Sequence, residues 1–326
     1  MRRSKQRLYN CPSVETELAT SKQRTDAVTC RLNLMLWWPR FVPFLLFLAI
    51  SAAAQSRIDC NTLKSHTLGE TVHYCVLLPP GYDSAPAKRY PVLYFLHGLG
   101  ENEQTLFKTA GWNLIEDLRQ QHKISDFLIV TPEAKASFYV NSANGKVRYS
   151  DFFLQEFIPY IETNYRIRRE RKARAITGIS MGGYGALRFA FADPNMFSAV
   201  SAQSAALMTE SPEELNAALR SGTPLGSLLG SVFGDPINVP HWKENDPFSL
   251  ARKNKTAIST LAIYFNCGRD DEYGFQVGAA ALDKQLQEEH IKHEYHLYPG
   301  NHSASYFGAH IGEVMEFHSK LFGGEK

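Results

Sequence analysis

The 326-residue sequence contains no HExxH, no CxxC, no EF-hand spacing and no GxGxxG. These gaps argue against zinc-protease, zinc-ribbon, calcium-loop and dinucleotide chemistry. The adjacent acids Asp270, Asp271 and Glu272 lack the spacing of a calcium loop. No metal and no cofactor is therefore expected. Charge of one sign is also missing, with 35 Lys/Arg against 33 Asp/Glu. The excess lies at the amino end. Residues 1–54 hold 8 basic and 3 acidic residues, which leaves 27 basic and 30 acidic in the remainder. A mildly acidic body with no basic stripe excludes nucleic acid as an expected partner. Repeats and low-complexity tracts are absent. The most apolar stretch, Phe41–Ile50, is broken by Pro43 and falls short of the roughly 20 residues of a bilayer span.

That stretch has another reading. Arg40, the apolar run and Ala52-Ala53-Ala54 follow the order of a secretory signal, basic then apolar then small. Residues 35–54 are expected to be a signal peptide cleaved near Ala54, with an uncleaved anchor or a core helix as the alternative. The protein is then secreted or periplasmic. Residues 1–34 are polar and aperiodic, and read as a disordered or over-extended start before Met35. Residues 55–326 form the expected domain. No membrane span is expected after cleavage.

Few cysteines remain there: Cys60, Cys75 and Cys267. Cys60 and Cys75 sit at nearly mirrored positions about a turn at Gly69, between strand-like stretches near 58–66 and 71–78. Facing strands would bring them within disulfide reach, and an exported protein meets an oxidising compartment. Three free thiols are the alternative. Cys267 reads as buried and unpaired.

Beyond this hairpin the chain carries short apolar runs: Val92–Leu96, Phe127–Thr131, Ala173–Thr177, Phe197–Gln203, Leu261–Phe265 and Glu294–Tyr298. Each is bounded by turn signals, as suits strands buried on both faces. Helical patterns alternate with them, for example Phe152–Asn164 and Gly278–Glu289. This predicts an α/β fold, a mostly parallel doubly wound sheet with an N-terminal antiparallel hairpin. One interval, at about 205–259, breaks the rhythm. It reads as an insertion, either capping a site or serving structure alone.

The strongest motif is Gly178-Ile-Ser180-Met-Gly182-Gly183. It lies between a strand-like run and a helical one, the context of the nucleophile elbow of the α/β-hydrolase fold. Ser180 is the expected nucleophile. A serine hydroxyl needs a base, and this fold orders serine, acid, histidine along the chain. His302 comes directly after the last strand-like run and is the expected base. The acid should follow the strand before it, where Asp271 is the choice and Asp270 the alternative. The oxyanion hole needs two backbone N–H donors. Met181, after the nucleophile, and Leu99, in His97-Gly98-Leu99-Gly100, are the expected pair. His97 reads as structural.

The stretches YPVLYFLHGLG, GISMGGYGALR, FNCGRDDEY and YPGNHS resemble the esterase-D-like "putative esterase" family. That family includes S-formylglutathione hydrolases, tributyrin, feruloyl and acetyl-xylan esterases, and mycolyltransferases. FGDP at 233–236 and ENDPFSLA at 244–251 resemble the family's insertion. The resemblance implies the triad Ser180, Asp271 and His302. Ser137-Phe-Tyr139-Val-Asn141 resembles a segment near the substrate in relatives, which makes Tyr139 and Asn141 binding candidates. The expected function is hydrolysis of a small-molecule or carbohydrate ester through an acyl-enzyme. Acyl transfer, an S-formylglutathione-type thioesterase and a non-catalytic binding module are the alternatives.

Overall fold

The computed structural model describes residues 56–108, 111–220 and 224–323. The expected extension 1–34 and signal segment 35–54 lie outside the described residues. Eight strands form one sheet in the order β1-β2-β4-β3-β5-β6-β7-β8. They are β1 Arg57–Lys64, β2 Thr71–Leu78, β3 Val92–Leu96, β4 Leu128–Pro132, β5 Arg174–Ile179, β6 Ala199–Gln203, β7 Ala262–Gly268 and β8 Glu294–Tyr298. β1 pairs antiparallel with β2, and β2 antiparallel with β4. The remaining pairings are parallel. The expected layout, a mostly parallel sheet entered through an antiparallel hairpin, is the one observed.

The reason lies in residue choice. In β3 the side chains of Val92, Tyr94 and Leu96 enter the core on one face of the sheet, and Leu93 and Phe95 enter the core on the other. A strand covered on both faces has no solvent side, so its sequence shows no alternation. The β1–β2 turn carries Gly69 at φ +70, in the left-handed region that suits glycine. Glu156, on the helical segment that crosses this turn, accepts hydrogen bonds from Ser65 Oγ and from the His66 and Thr67 N–H groups. The register opposes Cys60 to Cys75, and a disulfide joins them. Cys267 is buried and free.

The expected helix Phe152–Asn164 begins earlier and differently. Residues Tyr149–Asp151 are α-helical, Phe152–Phe157 form a π-helix, and Ile158–Asn164 return to α. The wider turn brings Phe152, Phe153 and Phe157 all into the core. A uniform period of 3.6 does not anticipate that.

Between β6 and β7 the described residues form five helices: Pro212–Arg220, Pro224–Phe233, Val239–Asn245, Pro247–Lys253 and Lys255–Ile258. The insertion is anchored on the helix that follows Ser180. Tyr184 Oη donates to Asn245 O at 2.8 Å, and Arg188 Nε donates to Asn245 Oδ1 at 2.9 Å. Asp246 caps the next helix by accepting from the N–H groups of Phe248 and Ser249. These contacts account for Asn245 and Asp246 of the ENDP stretch.

Candidate active site

The elements that matter converge at the carboxyl ends of β5 to β8, where parallel sheets leave a crevice. Ser180 follows β5 and opens the helix Met181–Ala192. Its backbone sits at φ +55, ψ −118, a conformation that L-residues avoid. The neighbouring glycines make so tight a turn possible. A Cβ on Gly178 would lie 2.2 Å from Gly182 O, and one on Gly182 would lie 2.0 Å from Leu96 O. The turn also packs against the next strand, through Ser180 N–H to Gln203 O and Ala206 N–H to Ser180 O.

Asp271 follows β7 and His302 follows β8. His302 Nε2 is 2.9 Å from Ser180 Oγ, and His302 Nδ1 is 2.7 Å from Asp271 Oδ2. A carboxylate on Nδ1 fixes the proton there, so Nε2 presents its lone pair to the hydroxyl. Asp271 also accepts from the Tyr273 N–H on Oδ1. Burial alone would raise its pKa. The bond and charge of His302 and the bond from the Tyr273 N–H outweigh burial and hold the carboxyl below its ordinary value. Asp270 is exposed, and its N–H donates to Gly300 O. Asp271 rather than Asp270 faces the imidazole. Aromatic edges enclose that ring, with Tyr273 at 4.9 Å, Phe307 at 5.2 Å and Phe275 at 5.4 Å between centroids.

The loop after β3 runs beside Ser180, where a Cβ on Gly98 would lie 3.6 Å from Ser180 Cβ. His97 is buried and holds the loop from within. Its Nδ1 donates to Gly98 O at 2.8 Å, and its Nε2 accepts from the Ala134 N–H at 2.9 Å. Burial pushes its pKa down, with the Gly98 bond opposing, so the ring stays neutral in that role. Gly98 N–H donates to Glu101 Oε2 at 2.7 Å. Leu99, the residue after Gly98, is 47% exposed. Met181 is the first residue of its helix, where an N–H has no intrahelical acceptor.

Of the two binding candidates, Tyr139 offers no surface to a cleft. It is fully buried at φ +59, and its hydroxyl donates to His97 O at 2.9 Å, beneath the Leu99 loop. Asn141 is partly exposed and also makes structural contacts. Its Oδ1 accepts from the Asp151 N–H at 3.2 Å and its backbone bridges to Arg148. The motif put these residues near the site but gave no direction to their side chains. The contacts that sequence reasoning missed are Tyr273, Phe275 and Phe307 around His302, and Cys267 Sγ 3.7 Å from Asp271 Oδ2. Proximity to the Asp271 and His302 motifs was the available signal for the aromatics.

A cavity of about 320 Å³ opens beside this group. Leu207, Met208, Leu215 and Leu229 line it from the insertion, Phe138 from the 133–149 loop, and Tyr273, Phe275 and Val277 from the segment after Asp271. Thr209, Glu210 and Glu214 supply its polar groups. The insertion therefore forms one wall of this cavity, whose lining reaches the triad only through Tyr273 and Phe275, the neighbours of His302. No group of three or more His, Cys, Asp or Glu able to hold a metal occurs among the described residues. Nor is any described helix long and apolar enough to cross a membrane.

Solved structures share this arrangement of strands and helices. A ferulic acid esterase aligns with a TM-score of 0.70 and 26% identity, covering 82% of this chain and 99% of that one. An S-formylglutathione hydrolase from Staphylococcus aureus aligns at 0.65 and 22% identity, over 81% of this chain and 99% of that one. The fold is that of the α/β-hydrolases. By sequence, an acetyl esterase of Caldicellulosiruptor saccharolyticus is 29% identical over 231 residues, 70% of this chain and 83% of that protein. An esterase of Mycobacterium tuberculosis (strain ATCC 25618 / H37Rv) is 29% identical over 242 residues, 70% of this chain. The match spans about half the length of the mycobacterial protein, 51%. The sequence profile described as "Putative esterase" matches residues 65–317, and the chain belongs to that family.

Proposed function

We propose that this chain is a serine carboxylesterase that hydrolyses a small-molecule or carbohydrate ester through an acyl-enzyme on Ser180. The observation that carries this reading is the unbroken contact from Ser180 Oγ to His302 Nε2, 2.9 Å, and from His302 Nδ1 to Asp271 Oδ2, 2.7 Å. Ser180 Oγ attacks the ester carbonyl as His302 Nε2 takes its proton. The resulting imidazolium is stabilised by Asp271, and it returns the proton to the leaving alcohol. The N–H groups of Leu99 and Met181 receive the oxyanion. Water, activated by the same imidazole, then releases the acid and restores Ser180.

The acetyl esterase and ferulic acid esterase among the relatives support an ester as substrate. The Cys60–Cys75 disulfide supports an oxidising compartment, in keeping with export directed by residues 35–54. The role of the insertion in this scheme is to wall the cleft. The test is labelling of the full chain with a fluorophosphonate, alongside hydrolysis of p-nitrophenyl esters. The expected outcome is a label on Ser180, with nearly all labelling and turnover lost in Ser180→Ala. Substantial turnover by pure Ser180→Ala protein refutes the assignment. Product analysis with added sugar acceptors separates hydrolysis from acyl transfer.

A further inference from the structure

Asp271 is followed in the chain by a second carboxylate, and the two hold one histidine at two points. Asp271 Oδ2 lies 2.7 Å from His302 Nδ1, and Glu272 Oε2 accepts the main-chain N–H of His302 at 2.9 Å. The first bond aims the ring. The second fixes the stretch of chain from which the ring hangs.

That stretch lies between two anchored ends. The base loop runs from Tyr298, the end of β8, to the helix Ala304–Gly323, and the acid loop leaves the end of β7 at Gly268. The register sets Gly268 opposite Tyr298, and beyond that pair the two loops stay joined. Arg269 N–H donates to Tyr298 O at 2.7 Å, and Asp270 N–H donates to Gly300 O at 2.8 Å. Their approach is close, since a Cβ on Gly268 would lie 2.5 Å from Gly300 O. Past Gly300 the joining passes to side chains, Glu272 to the His302 N–H and Asp271 to the His302 ring. One residue later the helix takes over, with Phe307 N–H donating to Ser303 O at 3.1 Å. Glu272 itself is exposed and adds nothing to the core. The bond from the His302 N–H is the main influence on its carboxyl and holds it below its ordinary value. It is therefore charged through the neutral range, and an ionised acceptor makes the stronger hydrogen bond.

We infer that Glu272 is a positioning residue, whose carboxylate latches the His302 main chain to the acid loop and so keeps the imidazole between Asp271 and Ser180. It rests on the reading of Ser180, His302 and Asp271 given above. Glu272 touches no reacting atom and acts through the placement of His302. With the latch removed, the ring can still meet Asp271 but drifts from Ser180 Oγ, which now lies 2.9 Å from Nε2. Small misplacements of a catalytic group are costly to rate.

The test compares Glu272→Ala with Glu272→Gln in the full chain. Glu272→Ala removes the acceptor, whereas Glu272→Gln keeps an amide oxygen there and removes only the charge. Glu272→Ala is expected to lower kcat about fivefold, the scale of one exposed hydrogen bond to an ionised acceptor, with KM within twofold. Glu272→Gln is expected to recover kcat to within about twofold of the parent, because the acceptor remains. The downfield His302 Nδ1–H resonance in NMR gives a readout independent of turnover. It should be sharp in the parent and in Glu272→Gln, and broadened in Glu272→Ala as the ring loses its seat and the proton exchanges with water. A kcat for Glu272→Ala within twofold of the parent overturns the inference. Equal losses in the two variants also overturn it, since charge rather than the bond would then be the cause, as does a resonance unchanged in Glu272→Ala. If the parent chain hydrolyses no ester, the reading of the site fails instead, and the resonance alone decides the role of Glu272.

Discussion

His318 gives the sharpest quantitative prediction. It lies on the helix Ala304–Gly323 and is fully buried. Its Nε2 is 2.8 Å from Ser201 Oγ, which in turn donates to Thr177 Oγ1 at 2.7 Å. Its Nδ1 has no partner. Burial pushes the pKa down from 6.5 to about 3. The unfolded chain therefore takes up the proton first as pH falls. Stability is fully present above pH 6.5 and is lost between there and about pH 3. At pH 5 the unfolded imidazole lies about 1.5 units below its pKa, which costs about 2 kcal/mol at 1.36 kcal/mol per unit. This figure scarcely depends on the folded value, since a folded pKa of 3 or 4 lies below pH 5 in either case. His318→Leu keeps most of the volume and removes the titration. Urea midpoints for parent and variant at pH 8 and pH 5 read the effect. The parent should lose about 2 kcal/mol more than the variant between the two, roughly 5 °C of melting temperature. Other buried histidines, such as His97, are present in both proteins and cancel in the comparison. Equal losses would show that His318 is hydrated or protonated in the folded protein and refute the reasoning.

Asp271→Asn should lower turnover by about 10⁴, because an amide stabilises the wrong imidazole tautomer, whereas Asp270→Asn should change it little. Steady-state rates on a p-nitrophenyl ester decide the order, and a reversed order moves the acid by one residue. Replacing Cys60 and Cys75 together by Ala opens a bridge that spans 15 residues. This should cost about 3 kcal/mol in urea unfolding, and added reductant should reproduce the loss in the parent and leave the variant unchanged.

The sheet is legible in the sequence because burial on both faces leaves a plain trace. The apolar runs Val92–Leu96 and Glu294–Tyr298 coincide with strands, and the other parallel strands lie within a few residues of theirs. The disulfide pair is legible for a related reason: equal distances from a turn place residues opposite one another. The π-turn at Phe152–Phe157 leaves no such trace, since its sequence is compatible with an ordinary helix. Tyr139 and Asn141 show a different limit. A motif gives position along the chain, but a side chain's direction depends on backbone torsions, and Phe138 and Tyr139 are both held at positive φ. Those torsions turn Tyr139 inward onto His97 O, away from the cleft.

Ser204 marks the same limit from the other side. A serine after an apolar strand is commonplace in a sequence, and only its torsion, φ +39, and its bond to Asn266 O mark it as the turn of that strand. The groups proposed to meet the substrate come from chain order: Ser180 after β5, Asp271 after β7, His302 after β8. The contacts that hold the turns at this edge come from crossings between neighbouring strands, Ser180 N–H to Gln203 O and Ser204 N–H to Asn266 O. The first kind is fixed by local sequence and survives as a motif. The second kind is fixed by which strand lies beside which. Ser204 reaches the end of β7 because β6 is paired with it, 62 residues earlier in the chain than Asn266 and adjacent only in the sheet. Residues that hold such a turn should therefore be sought on the strand next to the one that carries it, at the same carboxyl edge.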